Sequence, residues 1–346
     1  MGARAVKVFA TTGSEGLALE ICQSLQTRLP SSLQPTTGLL GEYRVERFSN
    51  GNLQVQVDNV RGHFVVVIHT QVPPVNDHLV ELLALLDAVE NARPRDVLLV
   101  FPYMPYARSD RKNKPRISTL APRLARILNR SYDVRRVILL DPHDTHTKHY
   151  FEPAADEISA LYLFADYVQN EVFPIHPREN CAIVFADAGA AKRFGQLAYL
   201  LKLPVAYIDK DRPDDEERPE LKAIVGDVKG KTCLMVDDEI LTGSTVLKDT
   251  AILLQGQAST VIMLAIHAPL DDKKTSAWEV VQKLEDSPLQ KVVISNSIPV
   301  AGKITTPGKF VVLSVAPLLA EAISRTVQDD SLTMLHNPAM VHIYRK

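Results

Sequence analysis

The stretch "TCLMVDDEILTGSTVLKDTAILLQGQ" (232–257), followed by "STVIMLAIHAPL" (259–270), decides the fold. An apolar run ends in Asp237 and Asp238, and a hydroxyl-rich turn of Thr242, Gly243, Ser244 and Thr245 follows. A helical pattern then leads to a second apolar run. The same layout occurs earlier, in "VVVIHTQVPPVNDHLVELLALLDAV" (65–89) followed by "RDVLLVFPYMPYAR" (95–108), without the paired aspartates and the Gly-Ser-Thr turn. Near-continuous apolar runs predict parallel strands covered on both faces. Apolar runs of this kind lie at 63–70, 96–103, 135–141, 181–187, 205–209, 232–236, 259–266 and 291–296, with amphipathic segments at 77–91, 118–130, 156–168, 190–201 and 245–256. Strand–helix alternation on this scale predicts an α/β fold with mainly parallel sheets. The internal repeat predicts two halves, one of which keeps a site the other has lost. The boundary is placed before a helix starting at 156. That gives domains 1–155 and 156–346, with the C-terminal segment a candidate for packing back on the first.

The chain has 346 residues, 46% hydrophobic and 23% charged, as in globular proteins. Its 39 Lys and Arg against 41 Asp and Glu give a net charge of −2, which speaks against nucleic acid or an anionic membrane as partner. The three cysteines, Cys22, Cys181 and Cys233, are scattered and form neither a disulfide framework nor a zinc spacing. No apolar run is long enough for a membrane span, and the N-terminus lacks a signal-peptide core, so a cytoplasmic protein is expected. The tract "DKDRPDDEERPELK" (209–222) carries charge and proline without apolar period, and reads as a mobile loop.

Ligands of open α/β sheets sit at the carboxyl ends of strands, the place of Asp237 and Asp238. Adjacent carboxylates repel unless cations or hydroxyl donors neutralise them. Sugar hydroxyls do this, and divalent metals favour oxygen ligands. Thr242, Gly243, Ser244 and Thr245 offer hydroxyls and amides at a helix N-terminus, a cradle for phosphate. Acid for a diol beside a nest for phosphate suits a ribose 5-phosphate. The plain alternative for "TGST" alone is a helix-capping turn.

"VDDEILTGST" resembles the phosphoribosyl-pyrophosphate motif of type I phosphoribosyltransferase folds. Together with "RFSNGNLQVQVDNVRG" (47–62), "FPYMPYARSDRK" (101–112), "VILLDPHDTHTKHYF" (137–151), "YIDKDRP" (207–213) and "VLSVAPLLAEAIS" (312–324), it resembles one family in particular, the ribose-phosphate pyrophosphokinases. The resemblance implies two tandem type I phosphoribosyltransferase-like domains. It implies transfer of the diphosphoryl group of MgATP to the C1 hydroxyl of ribose 5-phosphate, with Mg2+ as cofactor. Lys210 and Arg212 match the family's catalytic loop, and Arg108, with Ser109 and Asp110 after it, matches the segment that grips ATP phosphates. His143 and Asp187 match its metal-contacting residues, and Asp237, Asp238, Thr242, Gly243, Ser244 and Thr245 its ribose 5-phosphate site. A transition-metal site on His143, His146 and His149 is the weaker reading of that loop, since no cysteine or carboxylate completes it at a familiar spacing. The resemblance also implies a homo-oligomer with the nucleotide site near a subunit interface.

The sequence departs from the family where the base binds. Phe48 remains, but two carboxylates of the family pattern are Asn50 and Asn52, and a glutamine is Ser109. A carboxylate only accepts hydrogen bonds and an amide also donates, so altered nucleotide choice is expected to be possible. Leu241 stands where many relatives carry a third aspartate, and the loop after Arg212 is acidic. These changes motivate a second reading, a regulatory member that binds an active paralogue. The two loop cations speak against it. The duplicated layout speaks against a third, a phosphoribosyltransferase that consumes the product.

Overall fold

A computed structural model describes residues 5–112, 114–186, 188–209, 223–270, 275–304 and 308–337. Its contacts divide the chain into two units. The first comprises residues 1–159, 297–299 and 315–346, and the second residues 160–296 and 300–314.

The first unit begins with β1 (Val6–Ala10), α1 (Glu15–Arg28), a hairpin of β2 (Tyr43–Arg47) and β3 (Leu53–Val57), and β4 (Phe64–Ile68). It continues with α2 (Val75–Asn91), β5 (Asp96–Phe101), α3 (Leu120–Ser131), β6 (Arg136–Leu140) and β7 (Asp156–Ile158). Strands β1, β4, β5, β6 and β7 form, in that order, a wholly parallel sheet. Leu82, Leu85, Leu86 and Val89 recur at helical spacing along α2 and pack on Val65, Val67, Val97 and Leu99 of β4 and β5. Each such fully buried side chain contributes about 1.5–3 kcal/mol relative to exposure.

The second unit runs through α4 (Leu161–Tyr167), β8 (Cys181–Phe185), α5 (Ala188–Leu201), β9 (Val205–Asp209), β10 (Ala223–Val225) and β11 (Thr232–Glu239). Then come α6 (Ser244–Gln255), β12 (Thr260–His267), α7 (Ala277–Glu285), β13 (Lys291–Ser295) and β14 (Phe310–Leu313). The strand order is β10-β9-β8-β11-β12-β13-β14, parallel except for β10. Strands β8, β11, β12, β13 and β14 thus repeat the order of β1, β4, β5, β6 and β7, and β11–α6–β12 stands where β4–α2–β5 stands. The duplication read from the two quoted stretches is a duplication of sheet topology.

The segment 156–168 is not one helix. Asp156–Ile158 pair in parallel with Ile138–Leu140, and the helix starts only at Leu161. These three residues extend the sheet at the edge of β6 instead of joining the helix. The chain then enters the second unit, where the Tyr162 hydroxyl accepts from Gln196 of α5 at 2.9 Å. A mirror of this step occurs after β14. The final helix, α8 (Ala316–Val327), belongs to the first unit and packs along α1. Leu318, Leu319, Ala322 and Ile323 of α8 and Leu17, Ile21 and Leu25 of α1 are buried. Glu321 is held by Arg28 of α1 at 3.3 Å and by Arg325 at 2.8 Å. Among the described residues no helix is long and apolar enough to cross a membrane.

At the ends of β1 and β4, the topological counterpart of the ends of β8 and β11, the first unit is filled. Thr11 Oγ1 lies 2.7 Å from His69 Nδ1, the Thr70 amide donates to Ser14 Oγ at 3.0 Å, and the Thr70 hydroxyl donates to the Ser297 carbonyl at 2.7 Å. All four side chains are buried, and their polar groups are engaged with one another and with the backbone. Burial, aided by the charge of His78, pushes the His69 imidazole down from its ordinary 6.5 to about 3. The folded protein therefore keeps His69 neutral where the unfolded chain takes up a proton. Its contribution is complete above pH 6.5 and is lost as pH falls from 6.5 towards 3, at about 1.4 kcal/mol per pH unit. Denaturant titrations between pH 7 and 4 should show this slope in the wild type and a shallower one in His69→Asn.

Candidate functional site

Strand β11 is longer than the apolar run 232–236 suggests, and the reason lies in its neighbours. Pairing with β8 stops at Val236 opposite Phe185, whereas pairing with β12 continues to Glu239 opposite His267. The Ile240 amide adds a bond to the His267 carbonyl at 3.0 Å. Asp237 and Asp238 therefore sit past the end of one neighbour while still anchored to the other. This is the crevice that open parallel sheets offer to ligands. Both carboxylates are half-buried, and Asp237 Oδ1 accepts from the Asp238 amide at 2.9 Å.

Beyond the strand, Gly243 adopts φ +72°, a left-handed conformation that glycine takes without penalty. A Cβ there would also press on Leu284 at 3.3 Å. Gly243 occupies the N-cap of α6 and has no side chain with which to cap the helix. The Thr242 hydroxyl accepts from the Ser244 amide at 3.4 Å and donates to the Ser244 hydroxyl at 3.1 Å. Ser244 and Thr245 are exposed. A helix start without a side-chain cap, flanked by hydroxyls, can take an anion.

Sequence reasoning missed Arg193. Its Nη1 lies 2.6 Å from Asp238 Oδ2, a charge-assisted bond between side chains only 24% and 13% exposed. The two aspartates raised the question of a neutralising cation, and the fold supplies one from α5. The signal lay in "DAGAAKR" (187–193), where a basic residue falls in the second turn of the helix after the strand adjacent to β11.

The other predicted residues are divided between the units. Asp237, Asp238 and Thr242–Thr245 belong to the second, and Phe48, Asn50, Asn52, Arg108, Ser109, Asp110 and His143 to the first. Asp187, Lys210 and Arg212 lie outside the described residues. Phe48, Asn50 and Asn52 form the tip of the β2–β3 hairpin. The tip is closed by Phe48 N–H to the Asn52 carbonyl (2.8 Å), Gly51 N–H to the Phe48 carbonyl (2.9 Å) and Asn52 N–H to Asn50 Oδ1 (3.1 Å). Phe48 is 49% exposed, so its side chain is accessible for stacking.

Arg108 is exposed, and its neighbours are partly committed elsewhere. Arg111 pairs with Asp110 at 3.4 Å and with Asp144. Against the desolvation of its site, the His146 amide and Arg111 hold the Asp144 carboxyl below the usual range. Of the basic residues Arg108, Arg111, Lys112, Lys114 and Arg116, one is thereby engaged within the fold. His143 is half-buried in the turn after β6, while His146 and His149 are exposed with ring centroids 6.5 Å apart.

Ser109 does structural work that the sequence did not reveal. Its Oγ accepts from the Leu120 amide at 3.0 Å and its carbonyl from the Ala121 amide at 3.1 Å, satisfying two first-turn donors of α3. Thr119, the residue at the N-cap, makes no such bond with its side chain. Ser109→Ala should lower stability by about 0.5–2 kcal/mol in urea titrations. Amide exchange should quicken at Leu120, and Ser109→Thr should retain most of the stability.

Family models match both ends of the chain. Residues 6–131 match a family model described as the N-terminal domain of ribose phosphate pyrophosphokinase, and residues 214–337 match a phosphoribosyl synthetase-associated domain. The chain is 34% identical over 331 residues to a ribose-phosphate pyrophosphokinase of Aquifex aeolicus, covering 95% of this chain and 98% of the relative. Identity to the enzyme of the same name from Bacillus caldolyticus is 34% over 333 residues, covering 95% and 97%. The crystal structure of a phosphoribosylpyrophosphate synthetase from Mycobacterium smegmatis superposes with a TM-score of 0.81 at 26% identity, covering 94% of this chain and 99% of that one. With such coverage at both ends of the sequence, the chain belongs to the ribose-phosphate pyrophosphokinase family of enzymes.

Proposed function

We propose that this chain transfers the diphosphoryl group of MgATP to the C1 hydroxyl of ribose 5-phosphate, giving 5-phosphoribosyl 1-pyrophosphate and AMP. The observation that carries the reading is the acceptor site at the end of β11, with paired carboxylates for a diol and an uncapped α6 for a phosphate. In the reaction the C1 oxygen attacks the β-phosphorus. The bond from that phosphorus to the oxygen shared with the α-phosphate breaks, AMP leaves with its electron pair, and the hydroxyl proton passes to solvent. The protein contributes mainly position and charge to such a transfer.

Asp237 and Asp238 orient the sugar, and Thr242, Gly243, Ser244 and Thr245 hold its phosphate. Arg108, Ser109, Asp110 and the hairpin tip with Phe48, Asn50 and Asn52 form the nucleotide side. Lys210 and Arg212 neutralise charge on the transferring group. The hard carboxylate oxygens of the acceptor site suit Mg2+, and His143 and Asp187 would be further contacts for it, the imidazole through water. When bound, Mg2+ offsets charge on the phosphate oxygens. The enzyme works as a cytoplasmic homo-oligomer with the nucleotide site near a subunit interface.

One hydrogen bond bears on the choice of nucleotide. Asn50 Oδ1 accepts from the Asn52 amide, so the remaining polar group of this side chain is a donor. A carboxylate in the same turn would leave an acceptor instead, the partner for an amino group on a base. Purified protein should be tested with ribose 5-phosphate, Mg2+ and ATP, dATP, GTP or CTP, following release of nucleoside monophosphate. Turnover with ATP is expected, with GTP a competent second donor, and Asn50→Asp should shift the kcat/KM ratio towards ATP. Lys210→Ala should lower kcat by about 100–1,000-fold. The absence of turnover with every donor would defeat the proposal.

A further inference from the structure

Asp238 is the residue at which the acceptor site meets the rest of its unit. Its backbone amide is bound to the Asp237 carboxylate at 2.9 Å, which keeps the two acids side by side. Its own carboxylate is bound to Arg193 at 2.6 Å. Two adjacent carboxylates withdrawn from water repel, and a solvated counter-ion would be mobile and screened. A guanidinium on a helix is fixed. Strand β8 stops at Phe185, so α5, which starts at Ala188 and packs against both β8 and β11, begins beside the end of β11. Phe194, Leu197 and Leu201 are buried and anchor this helix. The charged end of Arg193 is thus delivered by a rigid element to one carboxylate oxygen.

We infer that Arg193 is a positioning residue of the acceptor site, holding the Asp238 carboxylate oriented beside Asp237 so that the pair can receive a vicinal diol. The inference rests on the proposed function for the identity of the ligand, a pentose phosphate. It assigns Arg193 no contact with either substrate. Its loss should therefore weaken acceptor binding and spare the nucleotide, because the groups assigned to the nucleotide belong to other elements. Removing an interaction made equally in ground and transition states raises KM without lowering kcat.

The experiment compares wild type, Arg193→Met and Arg193→Lys by calorimetric binding of ribose 5-phosphate, by binding of a non-hydrolysable ATP analogue, and by steady-state kinetics. Arg193→Met should weaken ribose 5-phosphate binding about tenfold and raise its KM equally, with analogue affinity and kcat changed by less than about twofold. Arg193→Lys, which keeps the charge but loses the planar fork, should recover most of the loss. Equal weakening of both ligands would reveal a tie between α5 and β11 and nothing more, and would overturn the inference. So would unchanged sugar-phosphate binding in Arg193→Met, or a wild type that does not bind the sugar phosphate. A wild type that binds it without turnover, and loses that binding in Arg193→Met, would defeat the proposed reaction while leaving the role of Arg193 standing.

Discussion

The unequal reach of the two strands beside β11 governs the second unit. β8 ends opposite Val236, β12 runs on to Glu239, and the residues between are held on one side and open on the other. Backbone pairing thus creates the crevice before any side chain is considered. The chemistry follows from what falls into it: two carboxylates from β11, a glycine-capped helix after it and an arginine from the helix after β8. Had β8 been longer, Asp237 and Asp238 would be interior strand positions. Burying two like charges there is prohibitive.

The first unit shows the same topology with the crevice closed. Thr11, Ser14, His69 and Thr70 fill it with short hydrogen bonds, and none of these side chains is charged at neutral pH in the folded state. The two halves differ in composition at one place in the sheet rather than in architecture. Filling that place gives the first unit a sealed strand end. Leaving it open gives the second a site whose charge needs Arg193.

Much of this was legible in the sequence because the signals were local and strong. Eight apolar runs, including 63–70, 232–236 and 259–266, fall on central strands, where burial on both faces demands continuous hydrophobicity. Strands β2 and β3 escaped notice because their alternate residues are exposed, β7 because it is only three residues long, and α1 because its pattern is weakly amphipathic. At the site, the carboxylates and the Thr-Gly-Ser-Thr turn are contiguous in sequence and could be read directly. Arg193 lies more than forty residues from Asp238, and only the neighbour relation of β8 and β11 joins them. Ser109 read only as a departure from the family pattern at the nucleotide site, since the helix start it serves is eleven residues away.

The return of α8 to α1 sets an order for the making of the molecule. The apolar face of α1, with Leu17, Ile21 and Leu25, is translated early, and its cover arrives only after the whole second unit has emerged. At usual elongation rates that interval is on the order of 15–60 s. Throughout it the face of α1 that α8 covers lacks its partner on the ribosome-bound chain. The unit encoded first is therefore the last to be sealed.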